Sequence, residues 1–433
     1  MKSIALFIGL LLFLVNQLHA QTYKQVENVV ELIEKQQFRK LHNEFDKTLA
    51  DALGAREIKY IWVRVEKQLG KYKSHGTTTL KTKEEIIHYT TPLYFEKGSI
   101  ELQTSFNEKD KLSGIFFRPK AYSPPTYGQN LVYNKEDITI TTGKFALPGE
   151  VVLPKNLSSK PPLVIMVHGS GANDRYESIY SVMVFKDLML GLLTKNIACL
   201  IYDKRTLVYE KTYDTCQYTL MDETVDDAVS AYNLAKKRSD IDTSRIFILG
   251  HSQGGYALPL ILKQCDGIKA GISLAGCSRP LEDVMTDQYE FLTQLDGKVN
   301  LGERLFLRKE MKKIRFVKSD KLLKSKPKKE LLGYWPTNFW KNIRNYKPVE
   351  ELKAIDKPVL FLQGDRDYQV TNKDLALWKS AYLEKKDWSF ISYAKLNHLF
   401  IEGEGKPNPI EYFTGGNIPI YVIDDLAAWI NKQ

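Results

Sequence analysis

The chain has 433 residues, 43% of them apolar, and a formal net charge of +10, which leaves room for two or three domains with real cores. The charge is local: residues 301–330 hold twelve Lys/Arg against four acids, an excess of eight. That segment carries no nucleic-acid reading module, so it reads either as a solvated helix face or as a cationic rim favouring acidic substrates or an anionic surface.

The first residues, Met1-Lys2 and then an apolar run to Val15, end in Leu18-His19-Ala20. A charged start, a run too short to span a bilayer and a small residue at the cut predict a signal peptide over residues 1–20 and a periplasmic or secreted protein. No cysteine follows the cut to carry a lipid, and no later segment is apolar enough to span a membrane. The four cysteines are sparse for an exported chain. Cys199 and Cys277 read as buried thiols, a Cys216–Cys265 bridge stays open, and no C-x-x-C or His-x-x-x-His spacing points to a metal.

Residues 23–74 repeat apolar positions at helical spacing, with a second helix expected over 58–69 and stopped by Gly70. Three alternating runs follow at 85–94, 99–105 and 111–118. Helices and then a meander predict a small α+β domain over 21–120, with a structural or dimer-forming role. Tyr122-Ser123-Pro124-Pro125 marks a linker, placed over 121–136. From 137 onward strands and helices alternate, beginning with a hairpin of 137–141 and 144–153. Strands are expected at 163–167, 197–202, 246–249, 268–274, 358–362 and 388–393, with helices between them and a last helix at 421–430. Their continuous apolar runs suit a parallel sheet covered on both faces. The alternation breaks over 281–352, a basic helical segment with the aromatics Tyr334, Trp335, Phe339 and Trp340. It reads as a lid on a catalytic core, with Tyr334, Trp335 and Trp340 as candidate substrate contacts.

Within the core, Ile246 to Leu249 stops at Gly250-His251-Ser252-Gln253-Gly254-Gly255, and a helix follows. A serine on a sharp strand–turn–helix bend, flanked by glycines that leave room for the backbone, is what a nucleophile elbow requires. Serine needs a base, and in this architecture the order is serine, acid, histidine. Of seven histidines only His398 lies beyond Ser252. Two carboxylates, Asp365 and Asp367, leave the preceding strand. Asp367 is preferred, because Gly364-x-x-Asp367-x-x-Val370 is the usual arrangement. The oxyanion donors fall to the amides of Gln253 and of Ser170 in His168-Gly169-Ser170-Gly171, where Gly169 lets backbone approach the ligand. His168 reads as a loop-positioning residue, and Ser273, in a strand, as buried. Asp174-Arg175 and Asp203-Lys204-Arg205 read better as ion pairs pinning loops than as substrate contacts.

With these residues the chain from about 137 resembles an α/β-hydrolase, and is most similar to exported bacterial serine hydrolases of the dienelactone-hydrolase-like and S33-peptidase-like groups. The first 120 residues resemble, by pattern alone, an NTF2-like or cystatin-like small domain. The resemblance implies hydrolysis of a small-molecule carboxylic ester, for which the basic lid suggests an anionic substrate, and it implies no cofactor. Its rival is a serine aminopeptidase or prolyl iminopeptidase, which the lid's positive charge disfavours. A binding protein that kept the fold without activity is the third reading. Pro259, inside the helix after the elbow, departs from helical preference.

Overall fold

The computed structural model describes residues 22–83, 86–210, 217–295, 297–381 and 387–433. The expected leader at 1–20 and Cys216 lie outside them. Cys199, Cys265 and Cys277 are buried free thiols. No helix among the described residues is long and apolar enough to cross a membrane. The chain divides into two compact units.

The first unit holds the described residues to Tyr122 together with Pro409–Gly415. Four helices, at 22–34, Phe38–Asn43, Lys47–Ala52 and Ala55–Leu69, precede a five-stranded antiparallel sheet. Its strands are β1 (Tyr72–His75), β2 (Thr79–Lys83), β3 (Ile86–Phe95), β4 (Gly98–Phe106) and β5 (Leu112–Pro119). The apolar helix positions Val26, Val29, Ile33, Ile58 and Trp62 meet Leu93, Ile100 and Leu102 in one core. Gly70 ends the last helix at φ +80°, a conformation that costs glycine nothing.

β1 and β2 have no counterpart among the expected runs. They pair with opposite halves of β3, and β1 is too short and polar, and β2 too rich in Lys and Thr, to show an alternation. Pro409–Gly415 was expected within the catalytic domain but belongs here, because Ile410 and Phe413 pack into this core.

The second unit, Ser123–Asn408 with Gly416–Gln433, is built on an eight-stranded sheet. A hairpin of β6 (Tyr133–Thr142) and β7 (Phe145–Pro154) opens it. Gly143 turns that hairpin at φ +57°. β8 (Leu163–Val167) is followed by a short ribbon of β9 (Ser178–Ile179) and β10 (Val182–Met183). Then come β11 (Ala198–Tyr202), β12 (Ile246–His251), β13 (Ala270–Leu274), β14 (Val359–Gly364) and β15 (Trp388–Tyr393). The spatial order is β6-β7-β11-β8-β12-β13-β14-β15. Only the β6–β7 and β7–β11 pairings are antiparallel. The central strands are buried at every position, as a sheet covered on both faces demands.

β6 begins inside the stretch expected as linker. It is an edge strand, and the charges of Lys135, Glu136 and Asp137 mask its alternation. Between β13 and β14 stand the helices Leu281–Thr293, Leu301–Val317, Thr337–Asn342 and Pro348–Lys353. Asn300 and Glu303 close a capping box at the head of the basic helix. Pro259 is accommodated within the helix Gln253–Gln264.

Candidate active site

The parallel strands end together, so the loops leaving β8, β11, β12, β14 and β15 converge beyond their carboxyl ends. At the end of β12 Ser252 stands at φ +51°, ψ −110°, and the helix Gln253–Gln264 begins with the next residue. A non-glycine residue held there costs about 1–3 kcal/mol, so the surroundings must impose it. The glycines show how. A Cβ on Gly250 would lie 2.3 Å from Gly254's carbonyl carbon, and one on Gly254 would lie 2.2 Å from Val167 O. Ser252 N–H donates to Leu274 O at 2.9 Å, which ties the bend to β13. The Gln253 amide is in the first helical turn, where N–H groups have no acceptor within the helix.

Asp367 lies in the turn after β14, with its side chain fully buried. Its Oδ1 accepts the amides of Gln369 at 2.7 Å and Val370 at 2.9 Å. Its Oδ2 accepts His398 Nδ1–H at 2.6 Å and Gln363 Nε2–H at 3.1 Å. The histidine loop approaches closely because a Cβ on Gly364 would meet Leu396 O at 2.3 Å. Asn397 shapes that loop by accepting the amides of Leu399 and Ile401. The competing Asp365 is exposed and, among the described residues, accepts only Asn372's side-chain amide.

In the loop after β8, Ser170 N–H meets no acceptor among the described residues, so it is available to a ligand. Gly169 is not. Its amide donates to Glu177 Oε1 at 2.6 Å, and its carbonyl accepts Lys204 Nζ–H at 2.7 Å. The expected substrate contact at Gly169 is therefore corrected to a structural one. His168 is buried between Phe185 and Tyr202, and burial pushes its imidazole down to about 4, so it is neutral at ordinary pH. Ser273 is buried behind the elbow, beside Gly255.

Of the three aromatics expected at the substrate, only Tyr334 keeps substantial surface, at 44% exposure, while its hydroxyl is buried within reach of the Ser170 side chain and burial holds the phenol well above its usual value. Trp335 and Trp340 are 5% and 0% exposed and pack with Phe339 in the insertion's core. Trp340 Nε1–H is spent on Leu332 O. Both are corrected to core residues. Trp340→Ala is thus expected to cost about 3–5 kcal/mol of stability, read as a lower Tm, with KM unchanged at temperatures where the variant stays folded.

Charged groups surround this frame, and sequence reasoning foresaw some of them. Arg175 pairs with Asp203 at 2.7 Å and Glu150 at 2.9 Å, and Arg205 with Asp227, so these charges do pin the loops. Lys204 lies 3.0 Å from Glu223, both buried, and Glu223 accepts Gln253 Nε2–H at 2.8 Å. Glu177 and His251, each 1% exposed, were missed as site residues. His251 had a signal, its place directly before Ser252 in the glycine-flanked bend; Glu177 had none. Burial pushes His251 down, but the facing Glu177 carboxylate outweighs it and holds the imidazole above its usual range. Glu177 is likewise raised by burial, yet His251 brings it below the usual carboxylate value.

A mostly parallel eight-stranded sheet, with a serine on a strained strand–turn–helix bend and an Asp–His pair on the last two βα loops, defines an α/β-hydrolase. A family model described as BD-FAE matches residues 150–381, and one described as a protein of unknown function (DUF3887) matches residues 26–115. Esterase EstD of Thermotoga maritima is 31% identical over 434 residues, covering 99% of this chain and 98% of that protein. The chain belongs to this BD-FAE esterase family of α/β-hydrolases. Solved structures similar to it include Est1E from Butyrivibrio proteoclasticus (18% identity, 69% of this chain, 99% of that chain, TM-score 0.44). Another is the Pyrococcus furiosus esterase Pf2001 (16% identity, 73% of this chain, 97% of that chain, TM-score 0.45).

Proposed function

We propose that the protein hydrolyses small carboxylic esters through an acyl-enzyme on Ser252. The observation that carries this reading is the short His398–Asp367 hydrogen bond, on loops that converge with a serine held in strained backbone geometry. Asp367 keeps the proton on His398 Nδ1, which leaves the Nε2 lone pair to accept the Ser252 hydroxyl proton. Oγ attacks the ester carbonyl, and the oxyanion lies against the amides of Gln253 and Ser170. The C–O bond breaks, and His398 returns the proton to the leaving alcohol. Water then repeats the sequence on the acyl-enzyme and releases the acid.

The leader expected at residues 1–20 would export the enzyme, and the first unit is assigned a structural or dimer-forming part. The basic helix suits esters of anionic character.

The reading is tested on p-nitrophenyl esters against aminoacyl-naphthylamides. Short esters are expected to turn over faster. Faster hydrolysis of the naphthylamides would replace this reading with an aminopeptidase.

A further inference from the structure

His251 stands between two groups that can only accept. Its Nε2 lies 3.0 Å from His398 O, and its Nδ1 lies 3.0 Å from Glu177 Oε2. A carbonyl oxygen accepts and does not donate, so Nε2 carries hydrogen. Nδ1 faces the Glu177 carboxylate as an ion pair, with neither Nδ1 nor Oε2 in hydrogen-bond geometry to any described group. The facing carboxylate favours the imidazolium form of the ring, whose centroid lies 4.9 Å from that of His398. The second Glu177 oxygen accepts Gly169 N–H at 2.6 Å, one residue before the proposed Ser170 donor. One carboxylate thus holds the oxyanion loop, and through one ring it also holds the backbone of the proposed base.

We propose that Glu177 and His251 form a buried strut that locks the oxyanion loop and the His398 loop onto the nucleophile elbow, which makes both of them positioning residues. This inference rests on the esterase reading above. The backbone at Glu177 supports it: φ is +50°, a conformation disfavoured for glutamate and held only where contacts over-determine it. Stability alone is a weak reason for such a pair, since apolar side chains of similar volume stabilise as well or better. Three loops tied to one point are a reason that apolar packing does not supply.

The groups facing the strut are His168 at the end of β8, Lys204 beyond β11 through Gly169 O, Asp367 after β14 and His398 after β15. His251's raised value sets the sign of the pH response. The strut is complete below the ordinary imidazole value of about 6.5 and is lost as pH rises through the higher value in the fold. Activity accordingly falls on the alkaline side as the Nδ1 proton leaves.

The test is Glu177→Gln in the full chain. Glutamine still accepts Gly169 N–H and can turn its amide toward a neutral ring, but it leaves His251 without a counter-charge. Expected are a fall in kcat of about 10- to 100-fold, a KM within about twofold, and an alkaline limb of kcat/KM moved to lower pH. A wild-type kcat with the limb unmoved overturns the strut. Should the variant not fold, the ring ¹⁵N shifts of His251 in the wild-type protein decide. Both nitrogens protonated at neutral pH support the strut, and a neutral ring overturns it. Ser252→Ala separates the two levels: an active Ser252→Ala protein defeats the esterase reading. An inactive one beside an unaffected Glu177→Gln defeats only the strut.

Discussion

Ser252→Ala is expected to lower kcat for p-nitrophenyl butyrate by about a millionfold, the scale on which nucleophile replacements act in triad hydrolases. The geometry makes this a clean experiment. The φ of +51° is imposed by the close approach of Gly250, Gly254 and Val167 and by the Ser252 N–H bond to Leu274 O. Alanine has the same Cβ and keeps that amide, so the bend survives and only Oγ disappears. Tm should stay within a degree or two of wild type. The residual rate reports what oriented amides and substrate binding contribute by themselves. An alanine variant keeping more than about 1% of wild-type kcat, far above that residue, would move the chemistry to another group.

Asp367→Asn is expected to cost about 10⁴-fold in kcat, or about 5.4 kcal/mol. Asp367 Oδ1 accepts two backbone amides, so an asparagine must place its oxygen there and its NH₂ toward His398 Nδ1. A donor facing Nδ1 selects the tautomer with hydrogen on Nε2, which cannot take the serine proton. Gln363 Nε2–H loses one of three acceptors and keeps Val370 O at 2.8 Å and Gly364 O at 3.2 Å, so stability should change little. Asp365→Asn is the control, because that side chain is exposed and, among the described residues, accepts a hydrogen bond only from Asn372. Its kcat should be unchanged. Equal losses in the two variants would contradict the assignment of the acid.

What could be read from the sequence was what chemistry forces into a short stretch. The elbow is local because glycines must sit two residues either side of the serine, and Val167 O explains why Gly254 tolerates no side chain. The pairing of Asp367 with His398 was legible by chain order and by elimination among few histidines. The central strands announced themselves by continuous apolar runs, whereas β1, β2 and the start of β6 did not. Those are short or strongly polar edges, whose pairing comes from a neighbour and not from their own pattern. Pro409–Gly415 could not be placed, since Ile410 finds its partners some 300 residues earlier in the chain. Aromatic residues misled for a related reason. Trp335 and Trp340 share one short run with Tyr334, and only packing separates the two core indoles from the partly exposed tyrosine. The Glu177–His251 pair spans 74 positions and has no motif, although His251 sat in plain view before Ser252.

The central claim is that Ser252 is the activated nucleophile, and covalent labelling asks this directly. The full-length protein, treated with a fluorophosphonate, is expected to take up one phosphonyl group on the peptide carrying Ser252. Asp367→Asn should slow that labelling by orders of magnitude, and unfolding should abolish it. No labelling of folded protein, or labelling on a peptide that lacks Ser252, would contradict the account.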